Sequence, residues 1–152
     1  MPKFRFIPEI AVADSAFEAF GKDLNELFEN CALATFTEMV DLKTVSPKEK
    51  KTIQMSSEKL ERLLYDFLSE ILFIKDHESI VFSKVKCEIN EAGVCLPTGE
   101  CKEKFVLEAE ILGEKIDQKK HKLGNDVKAI TMHMFQVIKD KKGWKARVVL
   151  DI

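Results

Sequence analysis

Residues 60–72 read Leu60-Glu61-Arg62-Leu63-Leu64-Tyr65-Asp66-Phe67-Leu68-Ser69-Glu70-Ile71-Leu72. Leu60, Leu63, Leu64, Phe67, Leu68, Ile71 and Leu72 recur in steps of three and four, which gathers them into one stripe of a helix. A buried core face explains such a stripe better than a partner groove does. Ser56 or Ser57 stands where a side-chain cap would start the helix. From residue 79 onward the period changes to two. Val81, Val85, Cys87 and Ile89 oppose Lys84, Lys86 and Glu88, and Phe105, Leu107, Ala109 and Ile111 oppose Glu108 and Glu110. Residues 126–139 read as a long strand, 140–143 as a turn and 144–151 as the last strand.

Upstream, Phe4 and Phe6 alternate with Lys3 and Arg5 as in a half-buried strand that Pro8 ends. A second strand is expected over 16–20. Gly21 breaks it, and Asp23-Leu24-Asn25-Glu26 reads as a capping box opening a helix that stops near Val40. A short strand around 52–55 precedes the Leu60 helix. The whole predicts an α+β fold, mostly antiparallel sheet with two main helices packed on one face. At 152 residues the chain suits one domain over 1–152, or two small interlocked units sharing a core.

Twenty-four Lys and Arg against 26 Asp and Glu give a formal charge of −2, which argues against a general nucleic-acid binder. Met1-Pro2-Lys3-Phe4-Arg5-Phe6 has no apolar run behind it, so neither a signal peptide nor a membrane span is expected and the cytoplasm is the default. Cys31, Cys87, Cys95 and Cys101 are expected as thiols in a reducing compartment, with a Cys95–Cys101 bridge the alternative for a hyperthermophile. Their spacing is wrong for structural zinc.

Phosphate loops, zinc-protease helices and serine elbows are missing. His77, His121 and His133 stand apart, and His133 alternates with Phe135 and Val137 as a core histidine would. The end of the chain carries more information. Val148-Val149-Leu150-Asp151-Ile152 keeps its strand pattern to the last residue, so the Asp151 side chain and the Ile152 carboxylate are held close together. Two clustered carboxylates repel unless a cation joins them, and all-oxygen ligands suit Ca²⁺ or Mg²⁺. A solvated strand end is the plainer reading of those residues alone.

Val127-Lys128-Ala129-Ile130-Thr131-Met132-His133 is similar to the archease segment in which an acidic residue precedes a V/I-K-A-x-T-x-H pattern. Val149-Leu150-Asp151-Ile152 resembles the way archeases end. Ala13-Asp14 resembles the family's N-terminal alanine–aspartate, and Leu63-Leu64-Tyr65-Asp66-Phe67-Leu68 with Glu70-Ile71-Leu72 its second helix. Four motifs stand in the family's order over nearly the whole chain. Two features depart from the pattern. Ala11-Val12-Ala13-Asp14 replaces the common His-Thr-Ala-Asp, so that histidine is not there to serve as a ligand, and the stretch from Cys95 to Lys104 looks longer than in relatives.

The resemblance implies a strand–helix–strand–strand module carrying an inserted similar unit. It implies an activator of the tRNA-splicing ligase that joins 3′-phosphate or 2′,3′-cyclic phosphate ends, promoting guanylylation of the ligase histidine, its turnover and broader nucleotide use. Such an activator is not itself an enzyme, and it meets RNA only through the ligase. Asp14, Asp151 and the Ile152 carboxylate would then form a metal site, Ca²⁺ first and Mg²⁺ second, with Lys128 linked to activation. Two rivals stand beside it: a small metal-dependent phosphoesterase or nucleotide-binding enzyme using Asp14 and Asp151, and a metal-free interaction module. A hairpin turn at 140–143 would pair position 132 near position 151 and set Lys128 several residues further along.

Overall fold

The computed structural model describes residues 3–8 and 14–152. Alternation at the N-terminus forms β1 (Phe4–Phe6), which pairs antiparallel with β2 (Ser15–Gly21). Asp23 then caps α1 (Leu24–Met39), its carboxylate accepting the Glu26 N–H at 2.9 Å. Glu26 reaches back to the N–H of Lys22 at 3.3 Å, one residue earlier than in a regular capping box. A single 3₁₀ turn, Leu42–Thr44, follows.

The next strand, β3 (Glu49–Ser57), is longer than the four expected residues. It pairs with β5 (Cys101–Lys115) up to Ser57↔Phe105, so Ser56 and Ser57 lie in a sheet rather than at a cap. The helix α2 (Leu60–Glu78) therefore begins at Lys59 with no side-chain cap. A ladder of strand pairs and a buried stripe outweigh a cap worth about 1 kcal/mol. After α2 come β4 (Ile80–Cys95), paired with β5, and the hairpin of β6 (Ala129–Asp140) and β7 (Gly143–Asp151). Gly113 lies where β5 passes a bulge of β4 between Phe82 and Lys84, and an added Cβ would fall 1.8 Å from the Val81 carbonyl oxygen.

The strands form two sheets, ordered β1-β2-β7-β6 and β3-β5-β4. This is the strand–helix–strand–strand module with a similar unit inserted. The outer unit is β2-α1-β6-β7 and the inserted one β3-α2-β4-β5. In each, the last strand lies between the first and the second. Each helix packs against strands of both sheets, so one face of one sheet does not describe the helices' position. A single buried cluster joins Phe17, Phe28, Phe67, Phe82, Leu107 and Val148 from both units. No helix among the described residues is long and apolar enough to cross a membrane.

Not all the cysteines are thiols. Cys31 and Cys87 are free and buried, and burial pushes both thiols up. Cys95 and Cys101 form a disulfide. They face each other at the tip of the β4–β5 hairpin, where Cα atoms come within 4.0 Å and Leu96 to Glu100 turn the chain. The tip runs past the last residue of β3, where the β4–β5 ladder continues without β3 and Lys102 pairs with Glu58 at 3.5 Å. Closing so short a loop is worth about 2 kcal/mol by chain entropy. Replacing both cysteines by serine is expected to lower the melting temperature modestly while the circular dichroism spectrum stays the same. A folded double variant that melts at the wild-type temperature would contradict this.

Candidate functional site

Three strands converge at the end of the four-stranded sheet. β2 enters it at Ser15, which pairs with Leu150 of β7. Continuing that register by one residue brings Asp14 level with Asp151. Asp14 is exposed, while Asp151 and Ile152 are half-buried. Asp14 and Ile152 line one cleft of about 360 Å³ together with Phe6, Ile7, Ser15 and Glu38. Residues 9–13, Ala13 among them, lie outside the described residues.

Glu38 went unrecognised in the sequence, where one glutamate at the end of a helix carries no signal. Its two oxygens accept from the Ser15 hydroxyl at 3.2 Å and the Asn125 amide at 2.8 Å. The Asn125 N–H also donates to the Glu38 carbonyl at 2.9 Å. One residue thus ties α1 to the start of β2 and to the chain leading into β6.

The register of β6 differs from the expected one. Near the turn it is as a four-residue connection requires, with Asp140↔Gly143 and Gln136↔Arg147. Then Thr131 pairs with Val149, so residues 132–135 together face Val148 alone. This wide bulge is sharp enough to hold Met134 at φ 54, in the left-handed region. Asp151 consequently pairs with Ala129, not with position 132. Lys128 stands level with Ile152, and its N–H donates to the Asp151 carbonyl at 2.7 Å. The bulge also explains why His133 is exposed rather than buried: it leaves the alternation that Phe135 and Val137 keep.

Nor does β6 begin at Asp126. Asp126 is exposed, Val127 is fully buried and Lys128 is exposed, all three ahead of the first ladder pair. Lys128 borders a separate cleft of about 240 Å³ with Tyr65, Phe73 and Ile130, which shares no lining residue with the Asp14 cleft.

Asp14 and Glu38 therefore line one cleft with Ile152, Asp151 ends β7 next to it in sequence, and Lys128 stands level with Ile152 in the register. Among the described residues no three His, Cys, Asp or Glu side chains stand close enough together to hold a metal. Oxygen donors of this kind are of the type a hard cation takes, and the cleft holding Asp14 and Ile152 has room for one with its waters.

A second polar cluster fixes the connection from β5 to β6. Glu114 accepts from Lys120 at 2.6 Å and from His121 Nε2 at 2.7 Å. His121 Nδ1 accepts the Asp117 N–H at 2.9 Å, so Nε2 carries the ring proton. Lys120, then His121 and the Ser46 N–H, hold the Glu114 carboxyl well below the usual range, at about 2. Leu123 bridges to Val40 further along. The sequence offered no sign that His121 is the buried histidine.

Fold and site together define a class: a two-sheet α+β protein built from one module inserted in another, with carboxylates and a lysine at the end of its closing strand. Residues 4–152 match the Archease protein family (MTH1598/TM1083). Protein archease of Methanothermobacter thermautotrophicus is 41% identical over 140 residues, covering 92% of this chain and 93% of that one. Protein archease of Methanosarcina barkeri is 37% identical, with 92% and 90% covered. The solution structure of Methanobacterium thermoautotrophicum protein 1598 superimposes with a TM-score of 0.78 at 35% identity, over 100% of both chains. The chain belongs to the archease family.

Proposed function

We propose that this protein activates a tRNA-splicing RNA ligase, promoting guanylylation of the ligase histidine, supporting its turnover and widening the nucleotides it accepts. In this reading it is no enzyme, it works in the cytoplasm, and it meets RNA only through the ligase. The observation that carries the reading is the placement of Lys128 beside a strand end that also holds Asp14, Asp151 and Ile152, in a chain of this family.

The Asp14 and Asp151 side chains and the Ile152 carboxylate would hold a divalent cation, Ca²⁺ before Mg²⁺. That cation would neutralise clustered carboxylates and offer a positive centre to a phosphate oxygen. The protein's own groups do the rest. Glu38 fixes the β2 end of the site through Ser15. Lys128, exposed and anchored by its main chain, presents a mobile ammonium to a phosphate or acidic group of the partner.

The test is direct. The cognate ligase and GTP are mixed with this protein, and ligase–GMP is measured over time. Stimulation by the wild type is expected, with Asp14→Ala reducing the rate on the order of tenfold or more while the circular dichroism spectrum stays the same. Nucleotide turnover by this protein without ligase would point instead to a phosphoesterase. Stimulation unaffected by Asp14→Ala would favour a metal-free interaction module.

A further inference from the structure

The stripe of α2 that begins at Leu60 does not stay apolar. Lys75 follows Ile71 by four residues and Leu68 by seven, which puts it on the core-facing stripe. It is 6% exposed, a rare burial for a lysine. An ammonium in that position is tolerated only when its protons are matched.

Lys75 Nζ donates to Asp126 Oδ1 at 2.7 Å and to the Val127 carbonyl oxygen at 3.0 Å, and it forms an ion pair with Asp76 Oδ1 at 2.8 Å. Both hydrogen-bond acceptors belong to the two residues directly before Lys128. The long connection ahead of β6 is pinned to α1 at Gly124 and Asn125, whose N–H groups donate to Met39 and Glu38 carbonyls. Lys75 takes over at Asp126 and Val127, and the Lys128 N–H then donates to Asp151. A methionine or leucine at position 75 would fill the same space but hold nothing.

We infer that Lys75 is a positioning residue for Lys128, anchoring Asp126 and Val127 to α2 so that Lys128 enters β6 level with Ile152. The inference rests on the activating role proposed for Lys128. Removing the ammonium would leave Val127 apolar and buried but would release the main chain around it. Lys128 would then sample several positions, and fewer ligase encounters would find it aligned.

Lys75→Met, Lys75→Arg and Lys128→Ala test this in the full chain, with Lys128→Ala as the reference. Amide hydrogen exchange is read at residues 127–129 and in the middle of α2. Ligase–GMP formation is titrated against each protein. For Lys75→Met, exchange at 127–129 should accelerate about tenfold or more while α2 stays protected. The maximal stimulation should fall about tenfold, with the half-saturating concentration little changed. Arginine should restore a large part of both, since it supplies donors to the same acceptors. The Lys75→Met/Lys128→Ala pair should be no worse than Lys128→Ala.

Unchanged exchange at 127–129, or normal stimulation by Lys75→Met where Lys128→Ala abolishes it, would overturn the inference alone. Losses that multiply in the double variant would do the same. Normal stimulation by Lys128→Ala would remove the functional reading as well. Should Lys75→Met fail to fold, Asp126→Ala replaces it: its side chain is 72% exposed, and the same two shifts are expected in smaller measure.

Discussion

On the proposed metal-site and ligase-activator reading, two residues added after Ile152 lower metal affinity and ligase guanylylation together, each on the order of tenfold or more, without unfolding the protein. The extension converts a carboxylate into a neutral peptide carbonyl, so one of the negative groups at the strand end disappears. Asp14, Glu38 and the Asp151 side chain remain. The strand itself should persist, because its register with β2 and β6 is made by residues 143–151 and Val148 and Leu150 stay fully buried. Asp151→Asn removes a charge from the same place without lengthening the chain, and it should produce the same paired loss. Calorimetry with Ca²⁺ and the ligase–GMP assay check both variants. A tail that leaves both at wild-type levels would defeat the metal-site reading while leaving ligase partnership standing.

Phe67→Ala will cost about 3–5 kcal/mol of folding stability, from a total that for a domain is about 5–15. Phe67 is fully buried in α2 and stacks on Phe28 of α1 with ring centroids 6.0 Å apart. That contact joins a helix of the outer unit to a helix of the inserted one, so the cavity would open where the two units meet. Urea unfolding should show a lower midpoint with little change in slope, and the melting temperature should fall by about 10 °C or more. Phe73 on the same helix is 61% exposed, and Phe73→Ala should stay within about 0.5 kcal/mol. Equal effects of the two substitutions would show that the α2 stripe is not the core contact between the two units.

Most of the fold was legible in local pattern. The α2 stripe, the Asp23 cap and the alternation from Ile80 to Ile111 each report a local preference that burial then reinforces. Where the reading failed, a non-local pairing had won. Ser56 and Ser57 looked like caps, but nine residues of β5 oppose β3 and draw them into the sheet. The cysteines looked like thiols, but hairpin pairing sets Cys95 opposite Cys101.

The candidate site divides in the same way. Asp14, Lys128, Asp151 and Ile152 came from short motifs and from the strand pattern at the end of the chain, and their chemistry can be read from residue type. Their mutual placement cannot. Counting back from the turn at 140–143 sets position 132 against Asp151, because counting assumes an unbroken ladder. The bulge at 132–135 absorbs three further residues and brings Lys128 level with Ile152. Glu38, His121 and Lys75 likewise carry no motif. Each matters only because the folded chain brings a partner to it: Ser15 and Asn125 to Glu38, Glu114 to His121 across the turn that follows β5, and Asp126 with Val127 to Lys75. The sequence by itself determined which segments become helix or strand and which groups carry charge, since those follow from side chains and their nearest neighbours. The register of β6, and with it the company Lys128 keeps, was decided only in the tertiary structure, where the cost of a bulge is offset by burying Ile130 and Val127 against the core.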